Sequence, residues 1–255
     1  MPSLPAWPYP FWIAHRGAGK LAPENTLAAF QLGTQYGYRM FECDVKLSAD
    51  GVPFLLHDAT LTRTTNAASK LAINGSATAG DHPWPVLAQL DAGGWHTSAF
   101  AGEPLPTLEA IAHFCQANGH ALNIEIKPTP GSERRTGKVV AARAARLWQN
   151  AALPPLLSSF SIDALQGAEE GAPALPRALL LDALANDWLE TASRLGCVAV
   201  ICQHRLWTAA TVARVHGSEM RALSYTVNDE PTAQRLIKLE TDGIITDRVD
   251  FFKPF

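Results

Sequence analysis

The sequence predicts a single α/β domain in which eight parallel strands close into a (β/α)8 barrel. Short apolar runs rich in β-forming residues alternate with helical patterns along most of the chain, and this alternation is typical of parallel sheet. Eight such runs remain once a hairpin strand is set aside. The length of 255 residues also suits one barrel, since such domains typically have about 200 to 250 residues. We therefore expect residues 1–255 to form one domain.

Nine runs have the length and composition of strands. The residues flanking the helical patterns include candidate N-terminal caps, namely Ser161 and either Asn25 or Thr26. The predicted strands are residues 11–15, 40–46, 52–57, 121–127, 156–160, 177–181, 197–202, 221–227 and 243–246.

The third run is predicted to fold back on the second. The dipeptide Asp50-Gly51 favours a two-residue hairpin turn, and the loop is far shorter than the dozen or more residues that a parallel crossover needs. With that turn, Asp44 is expected to lie opposite His57. The helix that would follow the second barrel strand is then either missing or displaced.

Residues 58–106 interrupt the alternation of strands and helices. They are rich in Thr, Asn, Ala, Gly, Ser, Pro and Trp and show no sustained period. A structureless loop of that length is improbable in a compact domain, so we expect a small insertion with some structure of its own. Because it leaves the chain directly after His57, it should stand over the same end of the barrel.

Charge and cysteine usage exclude several classes of function. The net charge is −3, with a sequence pI of about 6.2, so the chain has no long-range positive field for nucleic acid or an anionic membrane. Four cysteines without Cys-x-x-Cys spacing argue against structural zinc and suit a reducing compartment. We find neither a signal peptide nor an apolar stretch that could span a membrane. We expect a cytoplasmic protein without nucleic-acid partners or stable membrane association.

Ionisable residues cluster on two neighbouring barrel strands. Glu42 and Asp44 are two residues apart and so face one side of their strand, and Glu125 and Lys127 repeat that arrangement on the next barrel strand. Any one of these acids could simply end a strand and pair with Lys127 or Arg16. Together, three converging carboxylates repel one another unless a cation lies among them, and oxygen ligands favour Mg²⁺ or Ca²⁺ over zinc.

Two histidines end strands beside this cluster. His15 ends the first predicted strand and His57 ends the fold-back strand, so the two could divide general-acid and general-base roles, although a single strand-end histidine is more often structural. Arg16 offers a planar fork of donors for a phosphate, and Gly17 and Gly19 allow close backbone approach.

These residues carry a family resemblance. Over about residues 11–250 the chain resembles the glycerophosphodiester phosphodiesterases, and it is most similar to their cytoplasmic bacterial type. The matching segments are His15-Arg16-Gly17, residues 23–30, residues 42–48, His57-Asp58, residues 125–128, residues 158–160 and residues 242–247.

The resemblance implies a TIM barrel of the PLC-like phosphodiesterase type that hydrolyses glycerophosphodiesters to sn-glycerol 3-phosphate and an alcohol, in glycerol and lipid metabolism. The partner is then a small-molecule substrate, and the protein is a monomer or homodimer. At Tyr225 the family more often has Trp, which bears on substrate fit. On matching positions the implied roles are metal ligation by Glu42, Asp44 and Glu125, acid-base catalysis by His15 and His57, and substrate binding by Arg16, Lys127 and Tyr225.

Two alternatives stay open at this stage. A lysophospholipase D-like or phosphoinositide phospholipase-like hydrolase would need an apolar rim or a basic membrane-facing surface; the insertion contains Trp84, Trp95 and Phe100 but no basic cluster. A catalytically silent barrel that only binds a glycerophosphate ligand is disfavoured, because both histidines and all three acids are present.

Overall fold

Eight parallel strands close into a barrel in the structure, a computed structural model that describes residues 6–71 and 77–254. The strands are β1 Trp12–Ala14, β2 Met40–Leu47, β3 Pro53–Leu55, β4 Ala121–Ile126, β5 Leu156–Ser159, β6 Arg177–Leu181, β7 Ala199–Gln203, β8 Arg221–Tyr225 and β9 Gly243–Thr246. The barrel order is β1, β2, β4, β5, β6, β7, β8, β9 and back to β1, which confirms the predicted (β/α)8 architecture. Parts of the predicted domain (1–255) and of the predicted insertion (58–106) lie outside the described residues.

Helices surround this barrel, and two of the predicted caps are confirmed. The side chain of Thr26, not that of Asn25, accepts a backbone N–H at the start of the helix Leu27–Gln35, and Ser161 does the same for the helix Ile162–Gly171. No helix among the described residues is long and apolar enough to cross a bilayer. The helices are α1 Leu27–Gln35, α2 Ala67–Lys70, α3 Trp84–Leu87, α4 Leu108–Ala117, α5 Glu133–Leu147, α6 Ile162–Gly171, α7 Trp188–Arg194, α8 Ala209–Gly217 and α9 Glu230–Lys238.

The fold-back strand β3 pairs antiparallel with β2 as predicted, but the predicted register is wrong by one residue. The observed pairs place Val45 opposite Leu55, and the backbone N–H of Leu56 donates to the carbonyl of Asp44 at 3.1 Å. The loop has three residues, 49–51, and ends in Gly51 at φ +83°. A left-handed glycine closing a three-residue loop is a common hairpin geometry, and it leaves His57 beyond the last pair.

The segment after β3 has structure of its own, as expected. It contains α2, α3 and two 3-10 turns, which enclose a separate apolar cluster around Leu61, Leu87 and Leu90. Its far end contacts the loop between β1 and α1: the ring of His96 donates to the carbonyl of Lys20 at 3.0 Å. The segment therefore stands over the barrel end where β1 finishes. The displaced helix is α4, which follows the segment and precedes β4.

The barrel interior changes character along its axis. Apolar side chains such as Ile13, Met40 and Leu156 form an inner cluster. Toward the carboxyl ends of β2, β4 and β5 the buried inward-facing residues become polar, which places the functional site at the end of the barrel where such sites lie in this architecture. These polar residues are Glu42, Asp44, Asn123, Glu125 and Ser158.

Glycines bring α5 and α6 into close contact, and this gives a stability prediction. A Cβ on Gly137 would collide with the carbonyl oxygen of Ala164. We expect Gly137→Ala to lower the free energy of unfolding by about 1 to 3 kcal/mol, the usual cost of overpacking. Gly217→Ala is the matched control, because a Cβ at that helical position meets nothing within 4 Å. Urea denaturation measures the free energy of unfolding of both variants and of the unsubstituted protein. If Gly137→Ala is as stable as Gly217→Ala, the packing argument is wrong.

Candidate active site

Three buried carboxylates lie together at the carboxyl end of the barrel. Glu42 and Asp44 come from β2 and Glu125 from β4, where the parallel register sets Asp44 beside Glu125. One oxygen from each carboxylate lies within 4.8 Å of the others. The strand period explains the convergence, since residues two apart point to the same side of a strand.

Burial and mutual repulsion shift the ionisation of this acidic triad. Burial, then the charges of Asp44 and Glu125, raise the pKa of Glu42 well above its usual range. Burial and Asp44 raise the pKa of Glu125 to about 7. Burial also opposes ionisation of Asp44, but the positive charges of Arg16, His57 and Lys127 outweigh it and lower the pKa of that carboxyl. Asp44 is therefore the most acidic of the three.

The triad fits a hard divalent cation. Glu42 Oε1 and Asp44 Oδ1 are buried and accept no hydrogen bond from a protein donor. Buried acceptors are normally satisfied, so these two oxygens are available to a ligand. Carboxylate oxygens are also the ligands that Mg²⁺ and Ca²⁺ prefer.

Arg16 is the first positive group beside the triad. Its backbone N–H donates to Glu42 Oε2 at 3.0 Å, and its Nε lies 3.1 Å from Asp44 Oδ2. The backbone at Arg16 is left-handed, with φ +50°, and Gly17 follows at φ +100°. This turn directs both the amide and the guanidinium toward the acids. A third contact runs from Arg16 to Glu24 Oε1 at 2.8 Å.

Lys127 is the second positive group. Its Nζ lies 2.7 Å from Glu125 Oε1 and 3.8 Å from Asp44 Oδ1. The same Nζ lies 5.3 Å from the centre of the Phe160 ring, a cation-π arrangement. Lys127 therefore bridges the acids and the aromatic side of the site.

Each of the two predicted histidines has a carboxylate on its Nδ1 atom. His15 Nδ1 lies 2.6 Å from Asp247 Oδ1, and His57 Nδ1 lies 2.8 Å from Asp58 Oδ1. The pKa of Asp247 stays low despite its burial, because the hydrogen bond from His15 favours the ionised form. An ionised carboxylate only accepts, so Nδ1 donates in both pairs and Nε2 is left for chemistry.

A cavity of about 200 Å³ joins these groups. Its aromatic wall consists of Phe160 and Tyr225, whose rings meet edge to face with centroids 5.7 Å apart. The hydroxyl of Tyr225 donates to the carbonyl of Leu181 at 3.1 Å, so the residue presents its ring rather than its hydroxyl. The cavity is lined by His15, Arg16, Glu42, His57, Asn123, Glu125, Lys127, Phe160, Leu180, Tyr225, Thr226 and Ile245.

All eight residues predicted from the sequence thus lie in one place, with Asp44 directly behind the cavity lining. Sequence reasoning missed the groups that hold them. Asp247 directly follows β9, so the strand-end rule that found His15 could have found it. Asn25 holds Asp44 at both ends: its Nδ2 donates to Asp44 Oδ2 at 2.8 Å, and its Oδ1 accepts from the Asp44 N–H at 3.0 Å. Arg63 lies in the aperiodic segment and had no sequence signal.

A cavity of this size, with two histidines, two cationic side chains and a place for a cation, has what hydrolysis of a small phosphate diester requires. The fold and the site therefore define a barrel phosphodiesterase. A model of the glycerophosphoryl diester phosphodiesterase family matches residues 15–251. The chain belongs to this family, and it is an enzyme that hydrolyses glycerophosphodiesters.

Individual relatives agree with that assignment. A glycerophosphodiester phosphodiesterase of Caldanaerobacter subterraneus subsp. tengcongensis is 32% identical over 243 residues, which cover 92% of this chain and 93% of the relative. The structure of an Oleispira antarctica phosphodiesterase, in complex with the product sn-glycerol-3-phosphate, is 33% identical with a TM-score of 0.83 and covers 94% and 93%. A glycerophosphodiester phosphodiesterase structure from Agrobacterium tumefaciens str. C58 is 26% identical with a TM-score of 0.77 and covers 96% and 99%.

The raised pKa values predict that protons compete with a cation for the triad. Below its pKa of about 7, Glu125 holds a proton and is a poor ligand; above it the carboxylate is free. We expect Mg²⁺ affinity to fall as the pH drops through 7 and binding at pH 6 to release more protons than binding at pH 8.5. Calorimetry in two buffers of different ionisation enthalpy measures this. Glu170→Gln, at an exposed glutamate, is the control and should leave the Mg²⁺ affinity and the proton release unchanged. If the heat of binding to the unsubstituted protein at pH 6 is the same in both buffers, no proton is released and the triad is not the cation site.

Proposed function

We propose that the enzyme hydrolyses glycerophosphodiesters to sn-glycerol 3-phosphate and an alcohol, and that it uses Mg²⁺ or Ca²⁺ held by Glu42, Asp44 and Glu125. The observation that carries the proposal is the pair of histidines, each fixed through Nδ1 by a carboxylate, beside a buried acidic triad. The product bound by the Oleispira relative supports the choice of product.

The positive side chains bind the phosphate. Arg16 presents a guanidinium at the cavity, and Lys127 presents an ammonium on the opposite side of Asp44. Both can donate to phosphate oxygens and offset the charge that grows on them in the transition state. A bound divalent cation would add Lewis-acid polarisation of a phosphate oxygen.

The two histidines move the protons. Nε2 of one histidine accepts the proton of the attacking hydroxyl as its oxygen bonds to phosphorus, and Nε2 of the other gives a proton to the alcohol oxygen as its bond to phosphorus breaks. The nucleophile is the 2-hydroxyl of the glycerol, which yields a cyclic phosphate that water opens with the histidine roles reversed. Asp247 and Asp58 accept from Nδ1 of the two imidazoles and so hold both rings in the tautomer that leaves Nε2 for the proton transfers.

The shape of the site favours a small soluble substrate. Of the three aromatic residues that could form an apolar rim for a lipid, Trp84 packs against the cluster beneath the segment and Phe100 packs against the main core. Trp95 is 40% exposed. Within the part of the chain that the structure describes, these three side chains therefore do not form the continuous apolar rim that the phospholipase alternative needs.

The remaining assignments extend from the sequence. We propose that residues 1–255 act as one catalytic domain with 58–106 as an insertion in it, and that Tyr225 binds substrate through its ring. Two contacts of the segment with the β1–α1 loop support this proposal: His96 donates to the Lys20 carbonyl, and Arg63 donates to Glu24. The cytoplasmic location, the absence of nucleic-acid and stable membrane partners and the monomeric or homodimeric state stay predictions.

The direct test is turnover on defined substrates. With Mg²⁺ or Ca²⁺, the purified protein should convert glycerophosphocholine to sn-glycerol 3-phosphate and choline, and EDTA should abolish this activity until metal is restored. Lysophosphatidylcholine should be turned over much more slowly. Preference for the lysolipid would support the phospholipase alternative, and binding of sn-glycerol 3-phosphate without turnover would support the silent barrel.

Loss of either imidazole should remove catalysis without removing the fold. We expect His15→Ala and His57→Ala each to lower kcat by about 10² to 10⁴-fold, the usual range for general acid-base groups. Mg²⁺ affinity and the thermal unfolding midpoint should change little. His113→Ala, at an exposed position of α4, is the matched control. Near-normal kcat in both variants would overturn the acid-base assignment.

A further inference from the structure

Arg63 makes a dense set of contacts above the site. It lies in the segment after β3, two residues before Thr65 and close to the start of α2, and its guanidinium is shared between two carboxylates. Toward Asp58 its Nε and Nη2 donate at 2.6 and 2.9 Å. Toward Glu24 its Nη1 and Nη2 donate at 2.7 and 2.8 Å. One planar side chain thus makes two bidentate pairs, the strongest form of charge-assisted hydrogen bond.

Both carboxylates continue into the site. Asp58 Oδ1 is also the acceptor for His57 Nδ1 at 2.8 Å. Glu24 Oε1 is also the acceptor for Arg16 at 2.8 Å, and Arg16 in turn lies against Asp44. A continuous chain of contacts therefore joins the acid-base imidazole to the phosphate-binding guanidinium, and Arg63 is its central member.

We propose that Arg63 is a positioning residue that fixes His57 and Arg16 relative to one another through Asp58 and Glu24. The proposal rests on the function proposed above. It also gives the inserted segment a part in catalysis, because the segment carries the side chain that connects the β1–α1 loop to the end of the fold-back strand.

The geometry explains why arginine is needed at this position. Without Arg63, Asp58 and Glu24 would lose their shared counter-ion, and Asp58 could rotate away from His57. An ammonium is a point charge and cannot form two bidentate pairs at once, so lysine would restore the charge but not the geometry. The side chain is 43% exposed, so its value lies in orientation more than in net stability.

Kinetics test the proposal. We expect Arg63→Met to lower kcat on glycerophosphocholine by about 10 to 100-fold, as for other outer residues that orient site ligands, with Mg²⁺ affinity unchanged. Arg63→Lys should recover little. Arg134→Met, which removes an exposed arginine paired with Glu170 across α5 and α6, is the matched control and should leave kcat unchanged. Unchanged kcat in folded Arg63→Met would overturn the proposal.

A double-mutant cycle separates positioning from simple stabilisation. If Arg63 acts through Asp58, Arg63→Met should lower kcat by a much smaller factor in the Asp58→Asn variant than in the otherwise unsubstituted protein. If the two substitutions lower kcat independently, so that their free-energy effects add, Arg63 does not act through Asp58. A loss of kcat that only follows the folded fraction, measured by thermal unfolding, would also overturn the proposal.

The imidazole provides a readout that needs no turnover. Proton NMR can detect the Nδ1 proton of His57, which is assigned by its absence from the His57→Ala spectrum. This proton should be protected from exchange with solvent in the unsubstituted protein and in Arg134→Met, and should exchange rapidly in Arg63→Met. A protected proton in Arg63→Met would refute the positioning role. The two proposals can fail separately. If the unsubstituted protein hydrolyses no glycerophosphodiester but Arg63→Met still makes the His57 Nδ1 proton exchange rapidly, the proposed function is refuted and the positioning role of Arg63 stands.

Discussion

Three carboxylates confined in one buried space impose the constraint on which the rest of the site depends. Glu42, Asp44 and Glu125 cannot all ionise there without positive charge within a few ångströms, because burial and repulsion both favour their protonated forms. Arg16 and Lys127 supply part of that charge from two sides. The unsatisfied oxygens of Glu42 and Asp44 are free to ligate a further cation.

The backbone around the first barrel strand is shaped by the same constraint. Arg16 and Asn25 both adopt left-handed conformations, at φ +50° and φ +59°; this costs a residue such as arginine about 1 kcal/mol or more, whereas asparagine tolerates it better. In this conformation the backbone N–H of Arg16 donates to Glu42, and the side-chain amide of Asn25 donates to Asp44. The β1–α1 loop is thus folded around the acids, and α1 begins immediately after it, at the Thr26 cap.

Sequence periodicity could predict the features that depend on local repetition. Alternation along β2 was enough to place Glu42 and Asp44 on one face, and the strand count was enough for the barrel. The hairpin register was not predictable from Asp50-Gly51 alone, because bonds of the Ser48 hydroxyl to Asp50 and Val52 select a three-residue loop over a two-residue one. The Arg63 contacts join residues 39 positions apart through an aperiodic segment, so no local pattern encodes them.

The sign of the local charge reconciles a net negative chain with an anionic substrate. If all three acids ionise, they outnumber the two cationic side chains Arg16 and Lys127, and the excess negative charge would repel a phosphodiester; the raised pKa values of Glu42 and Glu125 show that burial and repulsion oppose that state when no further cation is bound. A bound divalent cation would favour ionisation of the acids and would leave this group of charges positive overall. Charges elsewhere on the surface matter little, because salt screens them over about 8 Å. We therefore expect a divalent cation and a phosphate to favour each other's binding, with the whole-chain charge of −3 setting neither affinity.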